Sequence, residues 1–148
     1  MPFTQAQLAT ELTTDPSSLG YAALIAAGSD QALADALNLA RAGAPFVVHR
    51  NDIQARELMA AVVLAEYTAL SQAPRDLWQA LLTTAPLDAG DTNTRTNVGT
   101  VFGAGTATRT ALTALADRQG SRAEVLWGVG TRVSALDVSR TLARPGVQ

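Results

Sequence analysis

The sequence predicts a mainly α-helical fold, a compact bundle of seven or eight short helices with at most one small two-stranded β pairing. Three observations predict it: capping signals recur along the chain, apolar residues follow them at helical spacing, and only two short runs have β character. A chain of 148 residues can bury a core without disulfides. We therefore expect a single domain spanning residues 1–148.

The first three helices are marked by their N-terminal residues. Thr4 opens a capping box, which predicts a helix over residues 5–13. A second helix is predicted over residues 20–27. Ser29 or Asp30 then caps a third helix, because short polar side chains accept hydrogen bonds from the free backbone N–H groups of a first turn.

The middle of the chain combines a short strand with the longest predicted helix. Residues 46–50 are rich in β-forming side chains and flanked by turn residues, which predicts a strand. Asn51 then caps a helix whose apolar stripe, including Met59 and Val63, continues to Leu70. Pro74 fits the first turn of the next helix.

Residues 86–90, Pro-Leu-Asp-Ala-Gly, form the clearest linker and are a candidate subdomain boundary. Four more helices are predicted after it, the second of them ending at Gly120. Residues 129–133 are the second β run, and we expect it to pair with residues 46–50 because isolated strands need partners for their backbone groups. The N-caps of these four helices are Asp91, Thr106, Ser121 and Ser134.

Composition and spacing exclude several kinds of site. The absence of cysteine excludes disulfides, thiolate zinc sites and a cysteine nucleophile. His49 is the single histidine, no motif selects a nucleophile for it, and the carboxylates show no metal-ligand spacing. Residues 99–106 lack the lysine of a phosphate-binding loop. We therefore expect no enzyme, with no catalytic residue, metal site or cofactor.

Membrane association is not expected either. No apolar run approaches the roughly 20 residues that span a bilayer. Glu11 and Asp15 lie where the apolar stretch of a signal peptide would be. We expect a protein that stays in the compartment where it is made and has no membrane partner.

Charge is unevenly distributed along the sequence. Residues 1–91 carry a net charge of −6 and residues 92–148 carry +4, with arginine as the only basic residue type. A patchwork of solvated faces explains this split, and the sharper interpretation is a head-to-tail contact between copies, in which the acidic half of one meets the basic half of the next. The residues expected at this contact are Arg95, Arg109, Arg118 and Arg122 on one surface and Glu57, Glu66 and Asp76 on the other.

A DNA-binding function is one alternative. Residues 130–140 resemble the recognition portion of a helix-turn-helix, and Arg132, Arg140 and Arg144 could contact phosphates. A capped terminal helix with solvated arginines explains the same residues. The net charge of −2 favours the solvated arginines over DNA contacts. A phage-encoded DNA-binding or regulatory protein that uses the helix after Ser134 is therefore kept as the alternative and not as the first interpretation.

The N-terminal segment resembles a known group of proteins. Residues 11–21 read Glu-Leu-Thr-Thr-Asp-Pro-Ser-Ser-Leu-Gly-Tyr, and an alanine-rich helix and then Leu37-Asn38 follow. This pattern is similar to that of small proteins encoded among the virion structural genes of tailed bacteriophages. At the position of Ser17, those proteins usually have leucine. Residues 120–124 and 128–131 are also similar to some members.

The resemblance implies a virion component. Small helical proteins of these phages often form the adaptor ring below the portal, so it implies a head–tail connector subunit that is located in the virion and assembled in the host cytoplasm. The expected partners are copies of itself in a ring, the portal, and other neck or tail proteins. DNA is expected to pass through the lumen without sequence-specific binding. A capsid-associated or other neck protein is the remaining alternative.

Overall fold

The computed structural model describes residues 2–143 and contains ten helices and two strands within them. Helices make up 58% of the structure, which confirms the predicted mainly α fold. In this part of the chain, no helix is both long and apolar enough to cross a bilayer. The elements are α1 (Gln5–Thr14), α2 (Tyr21–Ala26), α3 (Asp30–Asn38), β1 (Val47–His49), α4 (Ala55–Ala61), α5 (Leu64–Thr68), α6 (Gln72–Thr84), α7 (Thr92–Val101), α8 (Ala107–Ala116), β2 (Asp117–Gln119), α9 (Arg122–Trp127) and α10 (Ala135–Thr141).

These elements belong to two compact units. The first unit comprises Met1–Val47 and Gln119–Gln148, and the second comprises Val48–Arg118. The chain passes from one unit to the other within β1 and again within β2, which pair antiparallel. The linker at residues 86–90 lies inside the second unit, where Leu87 and Ile53 form an isolated antiparallel bridge.

The first unit is built from α1, α2, α3, α9 and α10. Its first helix begins as predicted, since Thr4 and Gln7 form both hydrogen bonds of the capping box. Phe3 precedes that cap and stacks on Trp127 with ring centroids 4.6 Å apart. The buried core consists of Phe3, Leu8, Leu12, Tyr21, Leu33, Ala34, Leu37, Ala123, Val133 and Val138.

The second unit, built from α4 to α8, has a separate core. Trp78 of α6 meets Phe102 edge-on, with centroids 5.1 Å apart and rings inclined at 83°. Burying a large apolar side chain contributes about 1.5–3 kcal/mol, so this pair anchors the unit. The buried residues are Ile53, Leu58, Trp78, Leu81, Leu87, Ala89, Val101, Phe102 and Leu112.

The predicted long helix after Asn51 is wrong. Its place is taken by α4, which Gln54 caps, and by α5, with Val62 and Val63 in extended conformations between them. The Val63 N–H donates to the Thr108 hydroxyl of α8 at 2.9 Å instead of continuing a helix. This interruption divides one predicted helix into two. Residues 2–143 therefore contain ten helices, where the individual segments predict nine and the predicted bundle had seven or eight.

The first predicted strand is confirmed, but the second is wrong. β2 follows directly after α8, which ends at Ala116 and not at Gly120. Residues 129–133 form a turn and an extended segment whose backbone groups bind side chains. The amide group of Asn38 accepts the Val133 N–H at 2.9 Å and donates to the Val133 carbonyl at 2.7 Å. A side chain thus satisfies the groups that a partner strand would have bound.

Candidate interaction site

A buried ion pair joins the two chain segments of the first unit. Arg122 of α9 donates from Nε and Nη2 to the two carboxylate oxygens of Glu11 of α1, at 2.7 and 3.0 Å. The side chains are 11% and 5% exposed. Hydrogen bonding to this carboxylate raises the pKa of Arg122 above its usual value. Since both charges are buried and paired, Arg122 is not available as an exposed contact with another subunit.

Tyr21 packs beside this pair. Its side chain is fully buried, and its hydroxyl lies 3.5 Å from a Glu11 carboxylate oxygen. Burial, together with the nearby carboxylates, raises the pKa of Tyr21. The phenol is therefore a neutral donor beside Glu11.

Asp15 organises the turn between α1 and α2. Its backbone is in the left-handed region at φ 40°, a conformation that Asp and Asn tolerate better than most residues. Its carboxylate accepts the N–H groups of Leu19, Gly20 and Tyr21 at 2.7, 2.8 and 3.3 Å. Burial alone would raise the pKa of Asp15, but these N–H groups and the Arg122 charge hold it below the usual value.

The two segments that carry the phage resemblance meet in this network. Glu11, Asp15 and Tyr21 come from the N-terminal segment, and Arg122 comes from the C-terminal one. Sequence reasoning missed the ion pair because its partners are 111 residues apart. The matched residues therefore act as a structural framework for the first unit.

The charge of Asp15 yields a pH-dependent prediction. Asp15→Asn keeps an acceptor and tolerates the left-handed backbone, but it should lower the free energy of unfolding by about 1 kcal/mol at pH 7 because a charged acceptor binds N–H groups more strongly. A carboxyl whose pKa is depressed by folding stabilises the folded state above its unfolded pKa, near 3.8, and this contribution disappears as pH falls through the lower folded value.

Urea unfolding of wild type and Asp15→Asn at pH 7 and at successive values below 4 checks this sign. The difference between the two proteins should shrink toward zero in acid. A difference that stays constant or grows as pH falls would contradict the assigned role of the carboxylate. Asp35→Asn, an exposed change on α3 in the same unit, is the matched control.

The arginines predicted at a subunit contact have different surroundings. Arg95 is exposed and Arg109 is half-buried, and both line a cavity in the second unit. Arg118 lies in β2 and is half-buried. Because Arg122 is also buried, the four arginines do not form the exposed basic surface that was predicted for a subunit contact.

The predicted acidic residues are mostly bound within the second unit. Glu57 accepts two hydrogen bonds from Arg50, at 2.9 and 3.1 Å, and these hold the pKa of Glu57 below its usual value. Asp76 is exposed and accepts a hydrogen bond from Gln72 one turn earlier on α6. Of these two carboxylates, Asp76 is the one that has no cationic partner among residues 2–143.

Glu66 caps a helix from outside it. Its two carboxylate oxygens accept the N–H groups of Ala107 and Thr108, each at 2.8 Å. These bonds lower the pKa of Glu66, with the Thr108 side chain as the largest cause. A carboxylate at the N-terminus of α8 is favourable because the first backbone N–H groups have no partner inside the helix. Glu66 thus has a role within its own unit.

The charge split along the sequence does not coincide with the compact units. The first unit contains six acidic residues and five arginines, and the second contains seven and six, so each carries −1. The charge difference across residues 86–90 therefore separates two halves of the sequence and does not distinguish the two compact units. This weakens the physical basis for a contact guided by opposite charge.

An exposed apolar cluster lies where α4 gives way to α5. Met59, Val63 and Leu64 are 62%, 39% and 72% exposed, and we call these three residues the apolar patch. Met59 and Val63 belong to the apolar stripe of the long predicted helix, and their expected burial is wrong because that helix is interrupted at Val62 and Val63. Single exposed apolar residues are common, whereas a cluster marks a candidate interaction site.

A shallow cavity of about 160 Å³ adjoins the patch. Met59 contributes to its lining, together with Tyr67 and the core residue Trp78. Of the three patch residues, Met59 therefore borders a depression that reaches Trp78 in the core of the second unit. A protruding apolar side chain beside a depression is suited to protein–protein contact.

His49 has a partner that the sequence did not reveal. Its Nδ1 lies 2.6 Å from a carboxylate oxygen of Asp117, which orients the imidazole. Within residues 2–143 its other ring nitrogen forms no hydrogen bond, so no hydroxyl nucleophile is aligned with it. The same residues contain no group of three or more side chains that could hold a metal ion.

Comparison with known proteins assigns no family. No protein-family profile, curated protein or solved structure matches this chain. The resemblance to phage virion proteins therefore depends on the short motifs and the residues they contain, and it stays a prediction.

Proposed function

We propose that this chain is a structural subunit of a tailed-phage virion, a head–tail connector that forms a ring with copies of itself at the neck. The observation that carries the proposal is the similarity of two parts of the chain to phage virion proteins, namely residues 11–21 and residues 120–124 with 128–131. Their matched residues include Glu11 and Arg122, which hold the first unit together. A resemblance at framework positions is what a shared fold would produce.

Ring formation requires two different surfaces on each subunit, because every copy contacts the next head to tail. The apolar patch is suited to be one of them, since its side chains are exposed and Met59 borders a cavity. Apolar burial contributes about 25 cal/mol per Å². Exposed ion pairs contribute only about 0–1 kcal/mol each. The contact should accordingly depend more on the apolar patch than on the charged residues.

Analysis of purified virions tests the proposal directly. The protein should be detected by mass spectrometry in particles banded on a density gradient, in fixed proportion to the portal protein. Cryo-electron microscopy of the neck should show it as a ring. Its absence from purified particles would refute the virion assignment, and its presence on the capsid alone would favour a capsid-associated role over the connector.

The DNA-binding alternative predicts a different behaviour. Arg132 and Arg140 are exposed, while Arg144 lies outside the described residues. We expect no sequence-specific binding at physiological salt, and any residual binding should be equal for unrelated duplexes and fall with salt. Fluorescence anisotropy with two duplexes over a salt series checks this. Saturable, sequence-dependent binding that is lost in Arg132→Ala or Arg140→Ala would favour the alternative.

A further inference from the structure

A cavity in the second unit combines an apolar lining with charged groups. Its volume is about 200 Å³. The apolar side chains come from the segments before α4 and before α7 and from α4, α7 and α8, so the cavity is formed by the packing of the unit and not by one loop. Its main apolar lining residues are Ile53, Leu58, Leu87, Val98 and Leu112.

A glycine of α7 leaves room for the side chain of Arg109 at this cavity. A Cβ added at Gly99 of α7 would lie 2.6 Å from Arg109 Nη1, so a side chain there would displace the guanidinium. Glycine inside a helix costs about 0.5–1 kcal/mol relative to alanine. The same Nη1 donates to the Phe102 carbonyl at 3.3 Å. The hydrogen bond to Phe102 orients this cation, and Gly99 leaves the space that it occupies.

The guanidinium of Arg109 retains unused binding capacity. Among residues 2–143 no carboxylate lies within 4 Å of it, and one of its N–H groups is used by Phe102. A guanidinium has five N–H donors arranged to bind a carboxylate through two parallel hydrogen bonds. An anion that reaches the cavity would meet a half-buried, positioned partner.

The other charged lining groups leave the cavity net positive. Arg95 lines it and donates to the Ala89 carbonyl at 3.3 Å. Asp117 is the only carboxylate residue in the lining and is bound to His49 at 2.6 Å. Two arginines against one aspartate favour an anionic ligand.

We propose that this cavity binds a small organic carboxylate with a compact apolar body, such as a phenyl or branched alkyl group. The apolar body would occupy the space between α4, α7 and α8, and the carboxylate would bind Arg109 with Arg95 nearby. An apolar cavity of about 150 Å³ is known to hold benzene, so the volume suits a ligand of this size. The binding site is independent of the proposed virion function.

Titration of the full-length chain with benzoate tests the proposal. Two-dimensional NMR and calorimetry should show saturable binding, with shifted amides concentrated around the cavity. Acetate lacks the apolar body and benzyl alcohol lacks the charge, so each should bind at least about tenfold more weakly. No saturable binding of benzoate, or equal binding of benzyl alcohol, would overturn the proposal.

Variants assign the binding to this cavity. Arg109→Gln should weaken benzoate binding by about tenfold or more, since it removes a charged hydrogen-bond donor. Gly99→Ala should weaken it while keeping every charge, because it displaces the guanidinium. Ala116→Leu should block it by filling the cavity. Arg56→Gln, an exposed change on α4 outside the lining, should leave it unchanged.

Circular dichroism and thermal unfolding identify any variant that fails to fold. If Arg109→Gln fails to fold, Arg109→Lys replaces it, because lysine keeps the positive charge but lacks the planar guanidinium. This variant should bind benzoate more weakly than wild type. Unchanged affinity in the folded variants at positions 99, 109 and 116 would place the ligand elsewhere and overturn the proposed site.

Discussion

Replacing Arg122 with methionine is expected to lower the free energy of unfolding by about 3–5 kcal/mol, the usual cost of leaving a buried charge unpaired. Arg122 forms two short hydrogen bonds to Glu11, and the carboxylate is only 5% exposed. Methionine fills similar space but cannot compensate that charge. Marginal stabilities of 5–15 kcal/mol are typical, so the loss would be a large fraction of the total.

Urea unfolding at pH 7 measures this loss, and amide hydrogen exchange can assign it to the first unit. Arg132→Met is the matched control, because Arg132 is exposed. The double variant Glu11→Leu/Arg122→Met should be more stable than Arg122→Met alone, because it removes the unpaired carboxylate. A loss in Arg122→Met no greater than in the control would show that the ion pair does not stabilise this unit.

Replacing Leu64 with aspartate should reduce incorporation of the protein into virions by roughly tenfold or more while leaving the isolated fold intact. Burying an unpaired carboxylate in an apolar contact costs at least about 2 kcal/mol, which corresponds to more than tenfold in affinity. Leu64 is 72% exposed in the isolated chain, so the stability change should stay within about 0.5 kcal/mol. The large effect is therefore expected on assembly alone.

Complementation of a phage lacking the gene measures this effect, with incorporation quantified against the major capsid protein. Leu39→Asp is the matched control, because Leu39 is 55% exposed and lies outside the apolar patch. Equal incorporation of the two variants would exclude the patch as a subunit contact. If the wild-type protein is itself absent from particles, the connector proposal fails independently of the patch.

The opposite-charge contact inferred from the sequence calls for a changed experiment. Reversing Arg118 and Arg122 together to glutamate would test that contact only in a variant whose fold stays intact. The burial of Arg122 against Glu11 makes this double variant unsuitable, since a second carboxylate would be placed beside the first. Arg118→Glu alone avoids this buried pair.

Most helix starts were predictable from the sequence because a cap is a local structure. At Thr4, Ser121 and Ser134 the capping side chain and its reciprocal partner are three residues apart, and all three capping boxes are present. Asp91 and Thr106 also accept the backbone N–H groups expected of caps. Such hydrogen bonds depend on a few neighbouring residues, so the tertiary fold does not have to be known.

The candidate sites were much less predictable. The apolar patch arises because Val63 leaves the helical path to bind Thr108, which is 45 residues further along the chain. The cavity depends on Gly99 admitting the side chain of Arg109 from another helix. No pattern of neighbouring residues predicts the hydrogen bond from Val63 to Thr108 or the approach of Arg109 to Gly99. The apolar spacing around Met59 is equally compatible with a continuous helix.

The sequence by itself determined the mainly α class, the first strand and most N-caps, because short-range hydrogen bonding and apolar periodicity decide them. Only the tertiary structure decided where the long apolar stretch breaks, which segment pairs with β1, and which charges are buried. Those outcomes depend on partners such as Glu11 and Arg122, which are 111 residues apart and become neighbours only when α1 packs in the same unit as α9. Desolvation makes a buried charge unfavourable unless an opposite charge lies beside it, and only the folded chain brings the two residues together.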